Sequence, residues 1–419
     1  MNKTISSKPY AWVPSLYLAE ALPYVAVMVI ATTMYKRLGL SNTDLALYTS
    51  WLYLPWVIKP LWSPFIAAIK TERWWVLVMQ LLIGAGFAGI AFTLPTASWL
   101  QGSLAFFWLL AFASATHDIA ADGLYILGLS THDQSLYVGI RSTFYRIGNI
   151  VGQGLLVMLA GWLEKSQTVP MAWSITFFVL AGTFVALWLW HSVALPKASQ
   201  EARKPSGFLN DFWLALKTFF TKPHIVSALL FMLLFRFPEG QLVKIANPFL
   251  LDSVEAGGLA LSTEAVGFVY GTVGIIGLTI GGLLGGWCVS MHGLKRWLWP
   301  MVLSISLPDL VYVYLADTGQ ASFLTVNICV FIEQFGYGFG FTAYMLYLVY
   351  FSQGERSTAV FSICTAMQAL GMMIPGMIAG WMADTLGYLN FFWWVVGCCL
   401  VTFAVSALIK IDPSYGKKE

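Results

Sequence analysis

The run Ala113-Ser-Ala-Thr-His-Asp-Ile-Ala-Ala-Asp-Gly-Leu-Tyr125-Ile-Leu-Gly decides how this chain is read. It lies within an apolar stretch, 102–129, long enough to cross the ~30 Å hydrocarbon core of a bilayer as one helix. Asp118 and Asp122 stand four residues apart, so both carboxylates fall on one face of that helix. A carboxylate at the centre of a membrane helix costs about 2.5 kcal/mol or more on insertion scales. Both must therefore turn towards a cavity, a cation or a proton path. The next apolar run, 136–163, brings Tyr145-Arg146-Ile147-Gly148 to a similar depth after a short turn at 130–135. Together the two runs read as a polar hairpin inside a membrane protein.

Composition supports that reading. Hydrophobic residues make up 58% of the chain and charged residues only 10%, with a mean hydropathy of +0.73. A soluble domain carries about 25% charge, so there is too little here to cover a water-facing surface. The class expected is an all-α polytopic membrane protein. A net charge of +3 gives no reason to expect nucleic acid as a partner; the lipid bilayer is the partner that the apolar runs demand. The 19 Trp, 18 Tyr and 29 Phe suit interfacial belts and the walls of an amphiphile-binding cavity. Cys288, Cys329, Cys364, Cys398 and Cys399 all fall inside apolar runs, with neither a metal spacing nor a disulfide framework. No metal or cofactor is expected. Residues 1–9 lack a basic segment followed by a cleavage site, so the first apolar run is expected to be retained as a helix.

Twelve spans are predicted, at about 10–35, 46–69, 74–94, 102–129, 136–163 and 172–195, then 225–251, 263–288, 294–315, 322–351, 357–386 and 389–411. This divides the chain into an N-terminal six-helix half (1–195), a linker (196–224), a C-terminal six-helix half (225–411) and a tail (412–419). The linker is the longest polar stretch, with Lys197, Glu201, Arg203, Lys204, Lys217 and Lys222. Within it Phe208, Phe212, Trp213, Leu216, Phe219 and Phe220 are expected on one face of a helix lying on the membrane. Of the 23 lysines and arginines, roughly 16 fall on one side of the membrane if both termini are cytoplasmic, and Lys36, Arg37 and Lys165 fall outside. By the positive-inside rule both termini are expected in the cytoplasm.

The halves read as repeats. Glu20, in Leu18-Ala-Glu-Ala-Leu-Pro23, and Glu239, in Phe237-Pro-Glu-Gly240, hold equivalent places in the first span of each half. The turn Lys70-Thr-Glu-Arg73 corresponds to the one with Lys295 and Arg296. Two such halves around a solute site form the plan of a secondary transporter.

Each polar residue inside a span has a structural and a functional reading. Asp118, Asp122 and Arg146 read as a helix-to-helix ion pair or as a site for protons or substrate carboxylates. Depth favours Asp122 with Arg146, leaving Asp118 free to titrate. Glu20 and Glu239 are single acids beside prolines and are candidate proton carriers. Arg236 and Lys244 would offer cations to an anionic solute, although Arg236 equally serves to neutralise Glu239 and Lys244 to snorkel outward. Tyr145 and Glu333 join the candidate substrate contacts. Lys59, Arg73, Lys295, Arg296 and Asp384 are assigned to gating or structure, and Asp309, after Pro308, is placed near a water-filled end. The glycines of 281–286 and 336–340, with Gly371, Gly376 and Gly380, read as packing devices. His117 and Asp122 have a spacing used by some acyltransferases, but five residues put them about 140° apart around a helix.

These features resemble the major facilitator superfamily, most clearly in Gly282-Leu-Leu-Gly-Gly-Trp-Cys-Val-Ser-Met-His-Gly-Leu-Lys-Arg296. Within it the chain is similar to the AmpG branch, the bacterial muropeptide permeases related to acetyl-CoA transporters. That similarity rests on Lys59-Pro-Leu-Trp-Ser-Pro64, His117-Asp-Ile-Ala-Ala-Asp122, Tyr145-Arg-Ile-Gly148, Phe331-Ile-Glu333 and Ala379-Gly-Trp-Met-Ala-Asp-Thr-Leu-Gly387. There are departures. Ala67 or Ala68 stands where the branch usually has an Asp that pairs with the basic turn, and Glu20 adds an acid before the first-span proline. The fifth span lacks the Gly-Pro pair of drug/proton antiporters. The resemblance implies a monomeric, proton-coupled importer of peptidoglycan-derived amino sugars or muropeptides in the bacterial inner membrane. The alternatives are another amphiphile as solute (a siderophore, a coenzyme A ester or a drug) or a membrane acyltransferase using His117.

Overall fold

The computed structural model describes residues 8–196, 208–354 and 356–417. The linker residues Lys197, Glu201, Arg203 and Lys204 lie outside that set, as do the side chains at 67 and 68. Every regular element among the described residues is helical. In order they are α1 (Pro9–Val25), α2 (Ala31–Arg37), α3 (Asn42–Trp51), α4 (Leu54–Ile69), α5 (Glu72–Thr93), α6 (Trp99–Gly128), α7 (Thr131–Asn149), α8 (Val157–Leu163) and α9 (Val169–Ala194). The chain continues through α10 (Phe208–Phe220), α11 (Ile225–Leu234), α12 (Phe237–Leu251), α13 (Thr263–Phe268), α14 (Ile275–His292) and α15 (Leu294–Ser306). It ends with α16 (Leu310–Thr318), α17 (Phe323–Ser352), α18 (Ser357–Leu386) and α19 (Tyr388–Leu408).

Ten helical stretches among the described residues are long and apolar enough to cross a membrane. Several unite neighbouring helices: α1 with α2, α7 with α8 and α13 with α14 run on through single π-helical turns. The two other expected spans fall on helices that do not reach that measure. The second is split into α3 and α4, with Pro55 in the first turn of α4, where a missing N–H costs no hydrogen bond. The tenth is the 30-residue α17. The arrangement is that of an all-α polytopic membrane protein and is consistent with twelve spans. Large apolar side chains point outward along these helices, including Phe92 (68% exposed), Leu324 (69%) and Leu400 (69%). In water such a surface would aggregate; in lipid it is the ordinary outer face.

By packing, the chain forms two compact units. The first comprises Met1–Met34 with Ile58–Phe208, the second Tyr35–Val57 with Leu209–Glu419. In the first, Phe87, Phe107, Phe177 and Phe184 interlock in tilted and edge-on pairs with centroids 5.5–6.0 Å apart. In the second, Phe231, Phe235 and Tyr344 form one buried cluster, and Phe249, Tyr312, Tyr388 and Phe392 another. Lipid supplies no hydrophobic drive for helices to associate, so close backbone contact must hold them together. Glycine permits it. A Cβ on Gly281 of α14 would collide with the Phe335 carbonyl of α17, and one on Gly340 of α17 would lie 2.5 Å from the Met301 carbonyl of α15.

By contact, residues 35–57 group with the second unit: α3 packs on α18, where the Asn42 carbonyl sits over Gly380. The linker helix forms as α10; the side chains of Phe208 and Phe212 lie outside the described set, and Phe219 does not share the face of Trp213 and Phe220. Phe219 is fully buried against Phe351, at 5.7 Å between centroids, whereas Trp213 and Phe220 are 65% and 54% exposed. The helix is docked onto the protein through Ala215 and Phe219.

Candidate functional site

In the first unit, α1, α4, α6 and α7 converge on one charged cluster. Asp118 and Asp122 lie one turn apart on α6. Lys59 of α4 is paired with Asp118. Arg141 of α7 reaches Asp122 with Nη2 2.9 Å from Oδ1, and the hydroxyl of Tyr17 donates to the same oxygen at 3.0 Å. The Arg141 guanidinium also lies over the rings of Tyr17 and Tyr125, at 4.3 and 5.0 Å. Glu20, one turn beyond Tyr17 on α1, is 8% exposed and interacts with Asp118 and Asp122. Its Oε2 is buried without a hydrogen-bond partner.

This corrects the expected pairing. Asp122 is held by Arg141, not by Arg146, and Asp118 is not free. Lys59, expected in gating or structure, is one of the cluster's two cations. Five residues along α7 turn Arg146 about 140° away from Arg141, so the two cannot serve the same carboxylate. Arg146 makes no ion pair among the described residues and is partly exposed, as is Tyr145. The carboxylates face open space: the side chains of Asp118 and Asp122 are 21% and 42% exposed. The cluster thus sets three acids (Glu20, Asp118, Asp122) against two cations (Lys59, Arg141), and Glu20 is the acid without a cation of its own.

His117 belongs to a different network. Its Nε2 lies 3.1 Å from Gln80 Nε2, Gln80 bonds His191, and His191 Nε2 lies 2.9 Å from Ser15 Oγ. His117 is fully buried on the side of α6 away from Asp122. The acyltransferase-like pair is not formed. Arg73 donates from Nη2 to the Ser192 carbonyl at 2.5 Å.

In the second unit Arg236, in the break between α11 and α12, clasps Glu239 with two bonds of 2.8 and 2.5 Å and donates to Tyr337 at 2.9 Å. Glu239 is therefore a paired carboxylate. Lys244 is 1% exposed, donates to Thr49 Oγ1 at 3.0 Å and faces the Tyr53 ring at 5.0 Å, so it does not snorkel. Glu333 accepts from Tyr312 at 3.3 Å and from Gln334. Asp384 accepts from the backbone N–H and hydroxyl of Thr43 at 2.8 and 2.7 Å, fixing the start of α3 to the end of α18. Beside it Lys36 pairs with Asp252 at 2.6 Å, and Tyr388 donates to Asp252 at 2.5 Å. Lys295 and Arg296 are exposed. Among the described residues no group of three or more His, Cys, Asp or Glu is placed to hold a metal.

Comparison with known proteins agrees with this architecture. The profile of the Major Facilitator Superfamily matches residues 15–374. The anhydromuropeptide permease of Escherichia coli is 23% identical over 385 residues, covering 90% of this chain and 74% of the permease. A putative transporter, AmpG 4, of Rickettsia conorii is 23% identical over 393 residues, covering 90% and 91%. Among solved structures, that of a D-xylose-proton symporter superposes with a TM-score of 0.75 over 98% of this chain and 99% of the symporter, at 13% identity. The last likeness concerns the fold alone.

Proposed function

The chain belongs to the Major Facilitator Superfamily and is a membrane transporter for a small solute; on that premise we propose that it imports anhydromuropeptides or related amino sugars together with protons, across the bacterial inner membrane, with both termini in the cytoplasm. The substrate class follows the names of its relatives. The proton coupling rests on one observation, the charge balance of the cluster in the first unit.

With all its acids ionised that cluster carries one net negative charge, located at Glu20, which has no cation. An uncompensated charge away from water is costly, so a proton on Glu20 is the natural way to balance it. Ionised, the cluster repels the carboxylates of a muropeptide; protonated, it is neutral and leaves the unpaired Arg146 to attract them. Proton binding then favours solute binding, which is the linkage a symporter needs. The magnitude is adequate. One proton moving through 100 mV releases about 2.3 kcal/mol, enough for roughly 50-fold accumulation of a solute carrying no net charge of its own. Tyr145 at the same level offers a ring to a sugar face.

The test is uptake of labelled anhydromuropeptide by proteoliposomes under an imposed inward proton gradient. Gradient-dependent, saturable uptake supports the assignment. A folded protein that takes up none contradicts it.

A further inference from the structure

Two spans of the first unit share an irregularity that the ion pairs do not explain. α1 runs on into α2 through a π-helical turn, Ala26–Ile30, and α7 runs on into α8 through another, Ile150–Leu156. At the end of the first turn the N–H of Ala31 donates to the Ala26 carbonyl five residues back, where an α-helix would use the fourth. Such a turn is one residue inserted into an α-helix. Helices kink at these turns, and the turns recur at functional sites. Pro23 loosens α1 further, because it has no N–H for the Ala19 carbonyl.

The two turns pack against each other. Beside them α1 and α7 cross at two glycines four residues apart. A Cβ on Gly148 would lie 2.6 Å from the Ala21 Cβ, and one on Gly152 would lie 2.8 Å from Cγ1 of Val25. The bare glycines let the helices touch, which is how helices hold together in lipid. Glu20 adjoins Ala21, and Arg146 stands two residues before Gly148, so the crossing lies level with the charged residues. The chain passes from the first unit to the second at Tyr35. Movement of one unit against the other must therefore be absorbed in 26–34, and the π-turn is the irregular part of that stretch.

We propose that the two π-turns form one coupled hinge. α1 and α7 are held together at the glycine crossing, and α2 and α8 beyond it re-aim as a pair. Close packing supplies the coupling, since neither turn bends without displacing the other. The far ends of the first and fifth spans then move while the acid cluster keeps its geometry. None of this depends on which solute is carried.

The experiment is hydrogen–deuterium exchange of the purified full-length protein, with no solute and no gradient, followed in peptides that cover the two turns. In wild type the amides of Ala26–Ile30 and Ile150–Leu156 are expected to exchange about tenfold faster than those of α1 and α7 beside them. Deleting one residue heals a π-turn and leaves the residues on either side facing as before. Deletion of Val29 should slow exchange in its own turn and, several-fold, at Ile150–Leu156 as well. Deletion of Leu155, whose side chain is 58% exposed, should do the same in reverse. Folding of each variant is checked by melting and size-exclusion profile. If one deletion fails to fold the other decides, and the wild-type comparison needs neither. Turns that exchange no faster than their flanks overturn the proposal. So does a folded deletion variant in which the other turn exchanges as in wild type. Failure of muropeptide uptake would leave this result untouched.

Discussion

Lys59 on α4 is paired with Asp118 on α6, while Glu20, which also interacts with Asp118 from α1, has no cation of its own. That asymmetry separates the acids of the first unit into two kinds. Asp118 and Asp122 are compensated across helices; Glu20 is the acid to which the proposed coupling assigns the proton.

The first consequence concerns stability. Asp118→Asn strands Lys59 and should lower stability by roughly 1–3 kcal/mol, less than a fully buried pair because both side chains are about a fifth exposed. Replacing both partners, as Lys59→Met with Asp118→Leu, should recover much of the loss. Thermal melting of the detergent-purified variants measures this. A double variant no more stable than Asp118→Asn would mean that the pair does not carry the effect.

The two arginines of α7 should behave differently. Arg141→Ala removes the partner of Asp122 and the cation over Tyr17 and Tyr125, so melting temperature and transport should both fall. Arg146→Ala breaks no ion pair among the described residues. It should leave melting within about 0.5 kcal/mol of wild type and raise the KM for an anionic solute several-fold. Equal effects on stability from the two would contradict the assignment.

Helix packing makes a third prediction. Gly281→Leu drives a side chain into the Phe335 carbonyl, where backbone rather than a movable side chain must yield. A loss of about 3 kcal/mol or more is expected, read as loss of the monodisperse size-exclusion peak. Gly286→Leu, with open space around its Cβ position, should behave as wild type.

The contact between Asp384 and Thr43 predicts a change in accessibility. Asp384→Ala removes two hydrogen bonds that fix the start of α3 to α18. A cysteine introduced at the buried Ser50 of α3 should then react with maleimide several-fold faster than in the parent background. An unchanged rate would mean that Asp384 does not hold α3 in place.

Much of this was legible in the sequence, for reasons of length and period. Apolar runs give the spans, and the i, i+4 spacing of Asp118 and Asp122 places both acids in one polar cluster. The glycine spacing on α14 and α17 marks the close crossing between them. Partner choice was not legible. Arg141 and Arg146 are both plausible by depth, and only the turn of α7 decides which one meets Asp122. The docking of α3 on α18 is likewise a long-range contact: Gly380 is marked as a packing glycine, but nothing local names Asn42 as what it meets.

The central claim is that Glu20 carries the proton that drives uptake. It is tested most directly by comparing wild type with Glu20→Gln in the same proteoliposomes, measuring labelled anhydromuropeptide in two modes. One is accumulation driven by a proton gradient; the other is exchange against internal unlabelled solute with no gradient. Glu20→Gln, which fixes the cluster in its neutral form, is expected to lose gradient-driven accumulation and keep exchange. Accumulation at the wild-type level in Glu20→Gln would contradict it.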